Sequence, residues 1–337
     1  HLSLRRQRQM CIRDSPKPFL AYADLVTLLT ARGMEILDVD ATKREIARLG
    51  YYRLSGFWYP ARRFARDDAG NKLICPQTRK PVRMEDFQPR TRFDKAVELY
   101  RFDKALRLLM LDAIESIEVH LKTVVAHELG RNSEMAYTSV TFIEPKWTVI
   151  NPGFSMSKWD SWTARQQKKQ DECQEEYFKS HRLKNRSVPF WVAVEAWDFG
   201  TLSIYYQLLK AKPQGWVLAR LGLTDVRAFI SWLKELNTLR NRCAHHTRIW
   251  NQSSSNPIAL PQQSPYFQAL NLDANALKRL YGLIAVIWLL LQRIEPGSQW
   301  IREIARLIDS KPAIPGCTFG AMGFPSEAGF PRHLFGI

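Results

Sequence analysis

The chain is poor in cysteine. Five residues, Cys11, Cys75, Cys173, Cys243 and Cys317, are scattered through 337 positions. Their number is odd and no C-x-x-C pair occurs, which argues against a disulfide framework and against a zinc site. A reducing, cytoplasmic setting is expected. Long apolar runs are also lacking. The longest, LIAVIWLLL at 283–291, falls well short of the ~20 residues of a bilayer span. It reads as a buried helix, and no membrane contact is expected. Glycine (16) and proline (18) are too sparse for a disordered or fibrous protein. Acidic residues are in deficit: 33 Asp and Glu face 49 Lys and Arg, a formal charge of +16. This excess is spread along the chain and not gathered in one tail. Its long-range field favours a polyanionic partner, nucleic acid above all.

What is present is an ordinary globular balance, 45% hydrophobic and 24% charged, enough for one large or two modest cores. Residues 1–15, HLSLRRQRQMCIRDS, resemble translated adapter sequence and are set apart from the fold as extraneous. Residues 16–92 form an N-terminal module. It has two short helices stopped at Gly33 and Gly50, the aromatic stretch YYRLSGFWYP (51–60), and a small β-hairpin or extended loop over 65–92. Residues 93–311 read as a helical bundle, and 312–337 as an extended tail. From Phe93 to Leu129, the residues Leu99, Phe102, Leu106, Met110, Ala113, Ile117, Leu121 and Val124 recur at steps of three and four. That spacing places them on one face of a helix. Asp112, Glu115, Glu118 and Lys122 form a polar stripe away from it. PFWVAVEAWDFGTLSIYYQLLK, from Pro189, predicts a helix interrupted at Gly200, with Glu195 a candidate buried carboxylate that would need an arginine. The chain is thus expected to be all-α with one small hairpin.

The segment TLRNRCAHHTRIWN (238–251) sets two histidines among three arginines. Continuing the helix from Asp225 through Arg248 at ~100° per residue puts Phe229, Trp232, Leu236, Leu239, Cys243, His246 and Trp250 on one stripe. His246 is therefore expected to face the core, where a lone histidine packs more often than it reacts. The opposite stripe reads Asn237, Asn241, His245 and Arg248, flanked by Arg240 and Arg242. Imidazole can both take and give a proton near neutral pH. Guanidinium binds phosphate through two parallel hydrogen bonds. Together they suit metal-independent cleavage of an RNA phosphodiester, with no cofactor required. Arg240 and His245 lie ~140° apart on an ideal helix, so convergence would need a bent arginine or a second chain. In the aromatic stretch, Arg53 and the following Arg62, Arg63 and Arg66 could hold phosphates while rings stack on bases. The alternative is a hydrophobic junction between the N-terminal helices and the bundle.

Four blocks in this order resemble the Abi family (AbiD/AbiF-like) of abortive-infection proteins. They are YYRLSGFWYP (51–60), LYRFDKALRLLMLDAIESIEV (99–119), PFWVAVEAWDFGTLS (189–203) and RNRCAHHTRIWN (240–251), and GFP at 323–325 also fits. The resemblance implies phage defence by shutdown of the infected cell and a HEPN-like helical bundle. HEPN ribonucleases carry an R-x4-6-H motif. Arg240 fits it with His245 at four intervening residues and with His246 at five, and the stripe argument favours His245. The resemblance further implies a homodimer sharing one cleft, and an associated non-coding RNA or antitoxin. Arg240 and His245 are the expected catalytic pair. Asn241, His246, Arg248 and Glu118 are expected to support them, and Arg53, Arg62, Arg63, Arg66 and Arg242 to bind RNA. A non-catalytic RNA- or protein-binding module, and a dimer seam built on the Arg-His helix, remain as alternatives.

Overall fold

A computed structural model describes residues 18–337. The segment 1–15, expected to be extraneous, lies outside the described residues. The chain forms two compact units, residues 18–100 with 312–317, and residues 101–311 with 318–337. Among the described residues the protein is all-helical apart from one two-stranded antiparallel sheet. No described helix is long and apolar enough to cross a membrane.

In the first unit, α1 (Tyr22–Ala31) and α2 (Val39–Leu49) are the two expected short helices. The Asp38 carboxylate caps α2 by accepting the Ala41 N–H at 2.8 Å, and Gly50 ends it at φ +83°, a conformation that favours glycine. YYRLSGFW forms α3 (Tyr51–Trp58). Leu54, Phe57 and Trp58 are buried, while Tyr52 and Tyr59 stay exposed. β1 (Arg62–Phe64) pairs with β2 (Arg83–Phe87), Arg62 opposite Phe87 and Phe64 opposite Arg83. Arg83 fixes this hairpin by donating to the carbonyls of Pro60 and Arg62, both at 2.7 Å. Residues 312–317 pack on the same unit: a Cβ at Gly316 (φ +74°) would lie 2.1 Å from the Pro60 carbonyl oxygen.

The long helix α4 (Phe93–Gly130) passes from the first unit into the second. All eight residues of its predicted apolar face are buried. The second unit continues with α5 (Lys158–Glu172), α6 (Glu176–Leu183), α7 (Phe190–Ala193), α8 (Phe199–Leu208), α9 (Ala211–Arg220) and α10 (Val226–Ala244). It closes with α11 (Pro265–Leu270), α12 (Leu280–Ile294), α13 (Trp300–Asp309) and α14 (Arg332–Phe335). The apolar run falls in α12, buried almost throughout. α8 and α10 run antiparallel: Gly200 lies against Asn237, and Tyr206 meets the Phe229 ring at 5.0 Å. Trp300 ties α13 to α4 by donating to the Leu109 carbonyl at 2.8 Å.

The structure departs from three sequence expectations. The break between α7 and α8 falls at Trp197–Asp198 and not at Gly200. The Asp198 carboxylate caps α8 by accepting the Thr201 N–H at 2.7 Å, and Gly200 is already helical. Glu195 is exposed; the buried carboxylates of this unit are Asp103, Glu128 and Glu235. The C-terminal residues, expected to run extended, include a 3-10 turn (Gly320–Met322) and α14, and they bury Met322, Phe324, Phe330 and Phe335.

Candidate functional site

Helix α10 starts where Asp225 accepts the Ala228 N–H at 2.8 Å. Its predicted stripe, Phe229, Trp232, Leu236, Leu239 and Cys243, is buried as expected. The helix does not continue to Arg248. It ends at Ala244, with His245 as the capping residue. His246 takes a left-handed conformation, φ +56°. The Thr247 N–H returns to the Arg242 carbonyl at 2.8 Å and the His246 N–H to the Cys243 carbonyl at 3.1 Å. These two bonds are those of a Schellman turn, a position usually held by glycine. A histidine there is uncommon and costs roughly 1–2 kcal/mol.

The cause of the turn is remote in sequence. Asp103 on α4 is fully buried, and one carboxylate oxygen accepts both the Ile249 N–H at 2.9 Å and the Trp250 N–H at 2.8 Å. The other oxygen pairs with Arg107, also buried. Burial pushes the Asp103 carboxyl above its usual range, opposed by the two N–H groups, Arg107 and Arg248. On a straight helix Ile249 would sit ~120° from Cys243, off the apolar stripe. The turn buries Ile249 and Trp250 together.

This ending moves several expected site residues. His246, expected in the core, is exposed, because it lies in the turn and not on the stripe. Arg248 has left the helix, is half-buried, and sits within the electrostatic reach of Asp103. The expected four-residue polar stripe is therefore broken. Asn237 packs on Gly200, Asn241 and His245 are exposed, and Arg248 belongs to the loop. His245 itself stays on the helical path, since its N–H donates to the Asn241 carbonyl at 2.9 Å. Among the described residues no hydrogen bond or ion pair joins Arg240 to His245.

Arg240 is instead brought to Glu118, with Nε 3.9 Å from the carboxylate. Lys122 lies 3.6 Å from the same carboxylate. Glu118 and Lys122, expected on a polar stripe away from the apolar face, are only 13% and 12% exposed. Burial pushes the Glu118 carboxyl up, Lys122 and Arg240 oppose this, and the nearby Asp198 charge adds to it. Asp198 is also raised by burial, but the Lys169 ammonium at 2.7 Å and the bonds to Thr201 outweigh this and hold it below the usual range. A polar seam of Glu118, Lys122, Lys169, Asp198 and Arg240 thus connects α4, α5, α8 and α10.

Arg242 lines a cavity of about 30 Å³ with Glu235, Ser254, Lys278 and Arg279, room for water and little else. The Cys243 thiol is pushed up to about 12 by burial, which leaves it unreactive as a nucleophile. In the first unit, Arg53, Arg63 and Arg66 are exposed and Arg62 is half-buried. Arg63 donates to the Phe87 carbonyl at 3.0 Å, Arg66 to the Gly70 carbonyl at 2.5 Å, and Arg62 lies over the Tyr59 ring at 5.6 Å. These contacts stitch the hairpin. Sequence reasoning missed Asp103. The available signal was an Asp-Arg pair at i, i+4 (Asp103, Arg107) directly beside the apolar face of α4.

Comparison with known proteins identifies a family. The sequence pattern of the Abi-like proteins matches residues 44–251, which hold α3, the hairpin, the Glu118–Arg240 pair and the histidine turn. No curated protein and no solved structure gives a significant match. With more than half of its length matched, the chain belongs to the Abi-like protein family, which supports a part in abortive-infection phage defence.

Proposed function

We propose that this protein is a metal-independent endoribonuclease of the HEPN type, acting in the cytoplasm during abortive infection, with Arg240 and His245 at its centre. The observation that carries the reading is an exposed imidazole at the end of α10, one turn past an arginine held by a half-buried glutamate. In the reaction the 2′ oxygen attacks phosphorus and the P–O5′ bond breaks, leaving a 2′,3′-cyclic phosphate and a 5′-hydroxyl. His245 takes the 2′-OH proton or gives one to the leaving 5′ oxygen, and Arg240 balances charge on the phosphorane. Glu118 orients Arg240, and Asn241 presents its amide one turn before the histidine. Arg248 supports the pair by shaping the turn. The ~140° between Arg240 and His245 is met by a second copy of the chain, whose Arg240 faces this His245 across a shared cleft. Arg53, Arg62, Arg63, Arg66 and Arg242 are secondary RNA contacts. A non-coding RNA or antitoxin keeps the enzyme silent before infection.

The test is incubation of purified wild type, His245→Ala, His246→Ala and Arg240→Ala with total RNA in EDTA, followed by mapping of cut ends. Loss of cleavage is expected in the His245 and Arg240 variants, with circular dichroism unchanged. A folded His245→Ala protein that still cuts overturns the assignment. The missing Arg240–His245 contact favours one second reading, a module that binds RNA without cutting. It predicts intact RNA with wild type and binding that weakens steeply with salt.

A further inference from the structure

A second basic and aromatic cluster lies at the far end of α4. Glu128 is buried, and its carboxylate gathers three side chains: Arg131 at 3.1 Å, Arg220 of α9 at 3.4 Å and His127 at 3.2 Å. Arg131, Arg220 and His127 are themselves more than half exposed. Each guanidinium uses one edge on Glu128, and its remaining N–H groups can donate elsewhere. Arg131 also lies over the Trp216 ring at 5.9 Å, and Lys212 lies over the same ring at 5.8 Å. On the other side, the Trp191 ring packs on Gly130, 3.5 Å from where a Cβ would stand, and it is 51% exposed. His120 faces Arg220, and burial together with that charge holds its imidazole below the usual histidine range. Two permanent cations, Arg131 and Arg220, therefore share one carboxylate, with Lys212 on the neighbouring Trp216 ring, which is an unbalanced excess. A simple tie between helices would be neutral.

We infer that this edge of α4, α7 and α9 is a single-stranded RNA-binding patch, separate from the Arg240–His245 centre. The chemistry fits that ligand in three respects. Guanidinium groups set by a buried carboxylate are pre-organised for phosphate, so less side-chain freedom is lost on binding. Accessible indole faces stack on bases without regard to sequence. The cations around them follow the phosphodiester backbone. Glu128 is ~15 Å along α4 from Glu118 and ~80° round its axis, so one flexible strand can reach both places. The inference rests on the reading that RNA is the ligand of this protein.

The test uses the full-length protein carrying His245→Ala, so that bound RNA is not consumed. Its probes are a labelled 20-nucleotide oligouridylate, the same strand paired with its complement, and inorganic polyphosphate. Trp191→Ala is expected to weaken oligouridylate binding about tenfold and leave polyphosphate binding unchanged. Arg131→Ala with Lys212→Ala, which keeps Arg220 on Glu128, is expected to lower the log–log salt slope by about 1.4. Unchanged affinity and slope in both folded variants overturn the patch, as does equal loss of polyphosphate binding in Trp191→Ala. The two proposals separate cleanly. Wild type that cuts no RNA, with patch effects intact, removes the nuclease alone. Cleavage that needs His245, with patch variants binding like the parent, removes the patch alone.

Discussion

Replacing Asp103 with alanine tests the physical origin of the histidine turn. The substitution removes the acceptor for two buried N–H groups, Ile249 and Trp250, and strands the buried Arg107 guanidinium. A hydrogen bond to a charged group contributes about 1.5–3 kcal/mol, and an uncompensated buried charge costs about 3–5 kcal/mol. These terms overlap, because a loosened turn lets water reach all three groups. The expected loss is about 4 kcal/mol, a large part of the roughly 5–15 kcal/mol that stabilises a domain. Urea unfolding followed by circular dichroism measures it. Hydrogen exchange in a peptide covering 245–250 reports the turn directly and should rise well before global unfolding. Replacing Asp103 and Arg107 together by leucine should recover part of the stability, since neither charge is then left alone. A folded Asp103→Ala protein that loses less than about 1 kcal/mol, with exchange at 245–250 unchanged, would refute the assignment of the turn to this carboxylate. The same variant should lose RNA cleavage although Asp103 touches no substrate, because it releases the segment that presents His245.

Two further outcomes follow from the same geometry. His246→Gly should raise stability by roughly 1 kcal/mol by relieving the left-handed backbone, whereas His246→Val should lower it; thermal melting of the two variants measures this, and a destabilised glycine variant would contradict the strain. Glu118 has its carboxyl raised by burial, so its favourable contribution is present below about pH 4.3 and is lost as pH rises through the higher folded value. Glu118→Gln should therefore gain stability relative to wild type between about pH 5 and pH 7, and a variant that instead loses stability over that range would show that Arg240 and Lys122 outweigh burial.

Much of the scaffold was legible because it is governed by local periodicity. The eight apolar positions of α4 recur with the pitch of a helix, and burial of that face needs no knowledge of its partner. The nine-residue apolar run in α12 was likewise readable, as were the Gly50 stop and the hairpin. The end of α10 was not legible. RNRCAHHTRIW contains neither glycine nor proline, so a helical wheel runs straight through it, and the residue that ends the helix is 146 positions away. The same limit explains Glu195 and Glu118. Their exposure depends on which helix lies opposite, and no spacing rule within one segment states that.

The sequence by itself determined the all-helical class, the apolar faces of the long helices and the basic excess, since these follow from local periodicity and composition, and its motifs determined the family. Tertiary structure alone decided that His246 faces solvent, that Arg248 turns toward a buried aspartate, and that Arg240 meets Glu118. The reason is desolvation: a carboxylate taken out of water must find donors wherever the fold supplies them, and in satisfying Asp103 the chain bends where its local signals would have carried it straight.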